Sequence, residues 1–492
     1  MSDSTNRLSR KIGLLSLTAT GICSMLGASI NVVPFMIHRS VPGIGPNVLL
    51  AFLFAMLPAL LAAFAYASLA SAMPRAGGSY IYASRGLNPY LGFIASFSQW
   101  FGLSIVIGVI AYIIVPFIRD VFVGLDWSQA ADLMEVASVR IGIALALIWL
   151  FIYINIKGGK FYERTVVPLM FIMFGLGVIV IISGFLFDQN DYIAVVPESA
   201  AFLDENNGNF DPLVFLSAAA ILFSSFIGFD AIAQAGGEAR KPNKNLPKAI
   251  LLAITIVGSF YFLFTIAMYH AVPWGYVADQ AVTKDITAPG LISPLLPVGL
   301  SVAILFGAAI ALINDLPAML LSVSRLVFAW ADDGIFPKKI AVTHPKYQTP
   351  HRALYLSGII AFIGVLGSHF AGDFFLGIDI MVTSMMVNFL LMCFTLITIT
   401  KVNPKLANDI KMVKSVSKQR LIGYGGVLLL IVFLTVHTLK DLNADVEAWY
   451  FRSTPVWLIV MGIGSAIYFF KTKALKRSGK NLNAIFAKLP EE

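Results

Sequence analysis

Phe223-Ser224-Ser225-Phe226-Ile227-Gly228-Phe229-Asp230-Ala231 lies in the middle of an apolar run over 212–235. A bilayer core of about 30 Å needs roughly 20 apolar residues in an α-helix, so this run is long enough to cross it. Two hydroxyls, a glycine and a carboxylate in mid-run are costly there. Unpaired backbone and ionisable groups persist at membrane depth only where they face protein or a water-filled cavity. The stretch predicts a membrane helix interrupted around a site.

The same length template finds eleven further runs. With the first, they lie near 12–37, 46–71, 90–118, 139–156, 165–187, 212–235, 247–271, 291–330, 353–368, 374–399, 422–439 and 454–470. The sequence therefore predicts an all-α integral membrane protein of about twelve spans. Composition agrees: 58% of the 492 residues are hydrophobic and 13% charged, against about 25% charged in soluble chains. The run from Ile12 lacks a cleavage site and is followed by more spans, so it reads as span one and not as a signal peptide.

Charge orients the chain. Arg39, Arg119, Arg140, Lys284, Lys440 and Arg452 fall in one set of gaps, and the other 29 of the 35 Lys and Arg fall in the alternate set with both termini. Basic residues concentrate on the cytoplasmic side, which places the 1–11 segment and the 471–492 tail in the cytoplasm. The net charge of +8 is scattered over short gaps, so nucleic acid is excluded as a partner. The gap 188–211 carries Asp188, Asp191, Glu198, Asp204, Glu205 and Asp211 without Lys or Arg. It reads as a solvated outer loop or as a recruiter of cationic solutes. Cys23 and Cys393 both lie in apolar runs, so no disulfide framework is expected.

Span one also carries small residues in mid-run: Gly21-Ile-Cys23-Ser24-Met-Leu-Gly27-Ala28-Ser29-Ile30-Asn31. A break near Gly27 would leave amides that favour an anion. Close helix packing through small residues is the alternative. Spans one and six stand five apart, as counterparts do in an inverted repeat whose discontinuous helices hold a solute at the midplane.

Four stretches carry a family resemblance. They are Gly27-Ala28-Ser29; Pro74-Arg-Ala-Gly77-Gly78-Ser79-Tyr80-Ile-Tyr82-Ala; Phe226 to Asp230 with Gly237-Glu238-Ala-Arg240-Lys-Pro242-Asn-Lys-Asn245-Leu-Pro247-Lys-Ala; and Ser324-Arg325 with Ala331-Asp332-Asp333-Gly334-Ile-Phe336-Pro337. In this order the chain resembles the amino acid–polyamine–organocation transporters, with the leucine-transporter fold. The resemblance implies a five-plus-five inverted repeat, 12–187 and 212–399, with discontinuous helices one and six. Two helices (422–470) are appended. It implies a secondary active permease or exchanger of amino acids or related amines in the inner or plasma membrane. Transport would run by alternating access, coupled to protons or to a counter-substrate. A transporter-like nutrient sensor or a channel is the rival reading.

By the same resemblance a substrate carboxylate sits on amides from Gly27 through Ala28 and Ser29 to Ile30. The amine sits on carbonyls near Cys23, Ser24, Ser224 and Ser225; Phe226 and Gly228 beside them are further candidate binding residues, as is Asp315, where the family more often has Ser or Gly. The side-chain pocket is lined by spans one, three, six, eight and ten. Ala28 stands where the family has a small hydroxyl and Ser224 where related exchangers have a bulky aromatic. Span five (Thr165-Val-Val-Pro168) lacks the Lys that many members carry.

Asp230, Asp315 and Asp379 fall within spans six, eight and ten. An ionised Asp at the bilayer centre costs roughly 2.5–3.5 kcal/mol, so these should face the interior or water. Asp230 reads as a coupling or gating carboxylate or as a helix cap. Asp315, two residues before Pro317, reads as a coupling group, a contact to a cationic substrate or ion, or a structural hydrogen-bond acceptor. Asp379, nearer its span's end, reads as water-facing. The central carboxylates bias the substrate toward a basic amino acid or polyamine. Arg325 either snorkels to the interface or pairs with an acidic partner such as Glu238. No phosphate loop, His-Glu-x-x-His or Gly-x-Ser-x-Gly pattern occurs, so no enzyme, cofactor or metal is expected.

Overall fold

The computed structural model describes residues 8–203, 210–371, 374–446 and 448–491, without the side chains of residues 28, 371, 374, 375 and 483. Among the described residues, twelve helices are long and apolar enough to cross a membrane: Leu14–Asn31, Gly45–Ala72, Pro89–Gly124, Ala137–Lys157, Gly159–Leu186, Pro212–Gln234, Pro242–Ala271, Val298–Asp332, His351–Phe370, Leu376–Val402, Val416–Leu442 and Ser453–Arg477. They are spans one to twelve below.

Local chemistry sets their ends. Asn88 accepts from the Tyr90 and Leu91 amides and starts span three behind Pro89. Asp211 does the same for Leu213 and Val214 ahead of Pro212 in span six. A cap plus proline at the first helical position satisfies amides that have no helical partner. Gly158, at φ +88°, makes the tight turn between spans four and five. The acidic 188–211 gap is partly structural: Asp188 forms a capping box over Gln189–Val195 and Glu198 accepts from the Tyr276 hydroxyl. Asp204 and Glu205 lie outside the described residues.

Of the span boundaries that differ from the sequence reading, two trace to proline. Span eight starts at Val298, not near 291, because a separate turn over Ser293–Leu295 precedes it and Pro297, extended at ψ +146°, stands at the helix start. Span one continues as a helix through Gly27 and Ser29 to Asn31, and the interruption falls at Val32 (φ −125°, ψ −55°). Pro34 has no amide to donate back to Ile30, so the helix restarts as Val33–Ser40.

Burial separates an inner set from an outer one. In the most apolar window of span eight 89% of residues are buried inside the protein, against 22% in span five. Spans one, three and ten resemble eight; spans four, eleven and twelve resemble five. The outer helices expose Phe171, Ile182, Leu428 and Phe470. Such faces suit lipid, where apolar side chains need no water.

One end of the bundle is closed by strand-like pairings and buried ion pairs. Ile12 pairs with Ala239 and Ala76 with Ala235. Arg85 makes a bidentate pair with Asp333 at 2.7 and 2.9 Å, and Arg325 meets Glu238 at 2.6 Å. Arg325 is therefore an ion-pair residue with 1% side-chain exposure, not a snorkelling one. The chain's last residues lie on the same end: the carbonyls of Lys488 and Pro490 accept from Arg85 and Arg75.

Candidate functional site

Span six is not one regular helix. Pro212–Leu222 is α-helical, Phe223–Phe226 tightens to a 3-10 turn, Ile227 and Gly228 leave helical geometry, and the helix resumes as Asp230–Gln234 behind Phe229. Gly228 sits at φ +141°, where side chains are strained, and a Cβ there would run into the Ser24 carbonyl. Glycine thus lets spans six and one touch backbone to backbone.

Span one stays helical here, yet two side chains from other spans and one of its own bond to its backbone. Asp315 accepts from the Gly27 amide at 3.2 Å, Asn31 donates to the Gly27 carbonyl at 3.3 Å, and the Tyr261 hydroxyl donates to the Met25 carbonyl. Gly27 packs so closely on Asp315 that a Cβ would overlap the carboxylate.

A cavity of about 450 Å³, open edges included, lies between these segments. Its polar wall is Ser24, Ser29, Ser224 and Asp315. The Ser224 hydroxyl is buried with no hydrogen-bond partner. The opposite wall is aliphatic and thioether: Val106, Val109 and Ile110 from span three, Met319 from span eight, Ile378 and Met381 from span ten. Val33 and Ile227 complete it. Spans one, three, six, eight and ten all contribute, with Val33 from the helix that follows span one.

The other residues expected at the site are distributed around it. Ser225 is buried behind the wall, its hydroxyl without a partner. Phe226 packs against Phe52 and Tyr261. Cys23 accepts at sulfur from Asn314 at 2.9 Å. Ile30 faces a second, apolar cavity of about 340 Å³ between spans one, five, seven and eight. The side chain of Ala28 lies outside the described residues.

Asp230 is absent from the cavity lining. Gln99 of span three donates to one of its oxygens and the Gly228 amide to the other, at 3.1 Å. Gln99 in turn accepts from Ser79 at 2.5 Å and from Gln234 at 3.2 Å. This chain of buried polar groups ties span three and the helix Gly78–Gly86 to the second part of span six. Each such bond is worth about 1 kcal/mol, and a donor left without its acceptor costs about 1–3 kcal/mol, so the carboxyl helps to hold the interrupted backbone in place. Asp379 is half-buried and interacts with Lys440.

The missed lining residues carry no local signal. Val106, Val109 and Ile110 sit in a continuous apolar run, and an apolar residue facing a cavity looks like one facing a neighbour. Gln99 was findable: an amide in the middle of a span is costly unless partnered. Among the described residues, no group of His, Cys, Asp and Glu is placed to hold a metal, and both cysteines are free.

A family model described as amino acid permease matches residues 12–464. Curated relatives include the methylthioribose transporter of Bacillus subtilis, 27% identical over 375 residues that cover 73% of this chain and 75% of that protein. The branched-chain amino acid permease BcaP of the same organism is 25% identical, with 73% and 75% covered. Human cationic amino acid transporter 4 is 26% identical, with 74% of this chain and 57% of that protein covered.

Proposed function

This chain belongs to the amino acid permease family, and from that premise we propose that it moves an amino acid or related amine by alternating access through the cavity between spans one, three, six, eight and ten. Membership makes it a multi-pass membrane transporter and not an enzyme. The relatives' names differ in solute, from a thioether sugar to branched-chain and cationic amino acids, so membership alone does not choose the substrate.

One observation carries the proposal: the non-helical Ile227–Gly228 pair, touching span one at Ser24, stands beside the cavity's hydroxyl and carboxylate wall. Interrupted helices are where transporters place solute sites. Spans one and six act as the discontinuous pair of a five-plus-five inverted repeat (12–187 and 212–399), the first with its interruption at Val32. Ser24, Ser29, Ser224 and Asp315 bind the solute. Asp230 acts as the coupling or gating group through Gln99, and opening requires the Arg325–Glu238 and Arg85–Asp333 pairs to separate. The closed end faces the cytoplasm, supported by the 29 basic residues on that side, and the chain resides in the inner or plasma membrane. Protons or a counter-substrate supply the energy.

Flux into proteoliposomes tests this, using a panel of amino acids and amines with and without a pH gradient. Saturable uptake of at least one solute, accelerated by the gradient or by solute on the far side, is expected. Background flux for every solute would overturn the proposal. Conductance without saturation would point to a channel, and binding without flux to a sensor.

A further inference from the structure

The cavity has one charged group, Asp315, and no Lys, Arg or His in its described lining. That carboxylate also holds the Gly27 amide at 3.2 Å. Span one stays helical at Gly27, so no set of broken-helix amides is open there to a solute anion, and the Gly27 amide already meets the protein's own carboxylate. A solute carboxylate would therefore enter without a cation to meet it and with a like charge beside it. At about 6 Å and an effective dielectric near 20, that repulsion amounts to roughly a hundredfold in affinity.

A positively charged amine meets the opposite situation. A carboxylate that accepts from backbone amides keeps its negative charge and its acceptor character, so it attracts an ammonium that enters the cavity. Ser224, 3% exposed and with no partner for its hydroxyl, faces the same space and supplies a further acceptor. Beyond this end the walls are Val106, Val109, Met319 and Met381. They suit a compact aliphatic or thioether body. A second ammonium or a guanidinium would be buried there without a partner.

Resting on the proposed transport cavity, we infer that its preferred solute is a monoamine that lacks a carboxylate and carries an apolar body, with Asp315 as counter-ion. This narrows the basic amino acid or polyamine expected from the sequence, because only one of the two central carboxylates lines the cavity.

Titration calorimetry of the full-length protein in detergent tests the inference with matched pairs: 3-methylbutylamine against leucine, and 3-(methylthio)propylamine against methionine, with putrescine and arginine alongside. Each monoamine should bind about a hundredfold tighter than its amino acid and at least tenfold tighter than putrescine or arginine. Asp315→Asn should weaken the monoamines about a hundredfold without weakening leucine, and Asp315→Glu should keep the order of preference. Leucine or methionine binding as tightly as its amine in the unaltered protein would overturn the inference whether or not the variants fold. So would putrescine or arginine binding as tightly as the monoamines, or undiminished monoamine binding by a folded Asp315→Asn. Saturable flux of an amino acid with no amine binding would overturn it while leaving the transport proposal standing. Absence of both binding and flux would remove the two together.

Discussion

Asp230 and Asp315 are both buried carboxylates in the interior of the bundle, 0% and 2% exposed, and each lies near an interruption of the regular helix. Their surroundings differ. Asp230 is enclosed by Gln99 and the Gly228 amide and does not reach the cavity. Asp315 also holds an amide, that of Gly27, but it forms part of the cavity wall. One carboxylate braces the broken backbone and the other presents charge to whatever enters. A buried carboxyl is tolerated in both cases because it is hydrogen-bonded, and what it then does depends on whether space remains beside it.

Stability measurements on purified protein in detergent can break this contrast. The largest effect is expected for Gly228→Ala, which puts a side chain at φ +141° and against the Ser24 carbonyl. About 3 kcal/mol of lost stability is expected, read from the denaturation midpoint, and retention of the native midpoint would show that spans one and six need not touch. Asp230→Ala leaves the Gln99 amide and the Gly228 N–H buried without their acceptor, at about 2–3 kcal/mol. Gln99→Leu removes the donor that spans three and six share, for about 1–2 kcal/mol, since hydrogen bonds inside membrane proteins average less than in water-soluble cores. Asp315→Asn should be the mildest in the same assay, below about 1 kcal/mol, because an amide oxygen still accepts from Gly27. Equal losses for Asp230→Ala and Asp315→Asn would erase the distinction between a bracing and a solute-facing carboxylate.

The two glycines beside these carboxylates show how much a sequence reveals. Both Gly27 and Gly228 were legible as breaks in apolar runs. The backbone leaves helical geometry at Gly228, where positive φ and contact with Ser24 demand glycine. At Gly27 the helix continues, and the glycine instead makes room for Asp315 from a span 288 residues further along. Local composition announces a small residue but not whether it serves a turn or a close neighbour. The Arg325–Glu238 pair was one of two readings, and only packing chose between them. Gln99 and Asp230 are 131 residues apart, so their hydrogen bond has no sequence signature.

The sequence by itself determined the twelve apolar spans and the unequal placement of basic residues, because a bilayer demands about 20 apolar residues per helix and penalises charge along the way. It also marked span six as irregular, since a hydroxyl pair, a glycine and an aspartate have no other reason to share a span. The tertiary structure decided which of the marked residues face a common space. Ser24, Ser29, Ser224 and Asp315 meet around a cavity, while Asp230, Ser225 and Phe226 turn away from it. Span one's interruption fell at Val32 because of Pro34, and the aliphatic wall came from spans three, eight and ten. Each of these rests on helix rotation and packing, which a one-dimensional pattern of apolar residues leaves open in a chain whose helices are apolar on nearly every side.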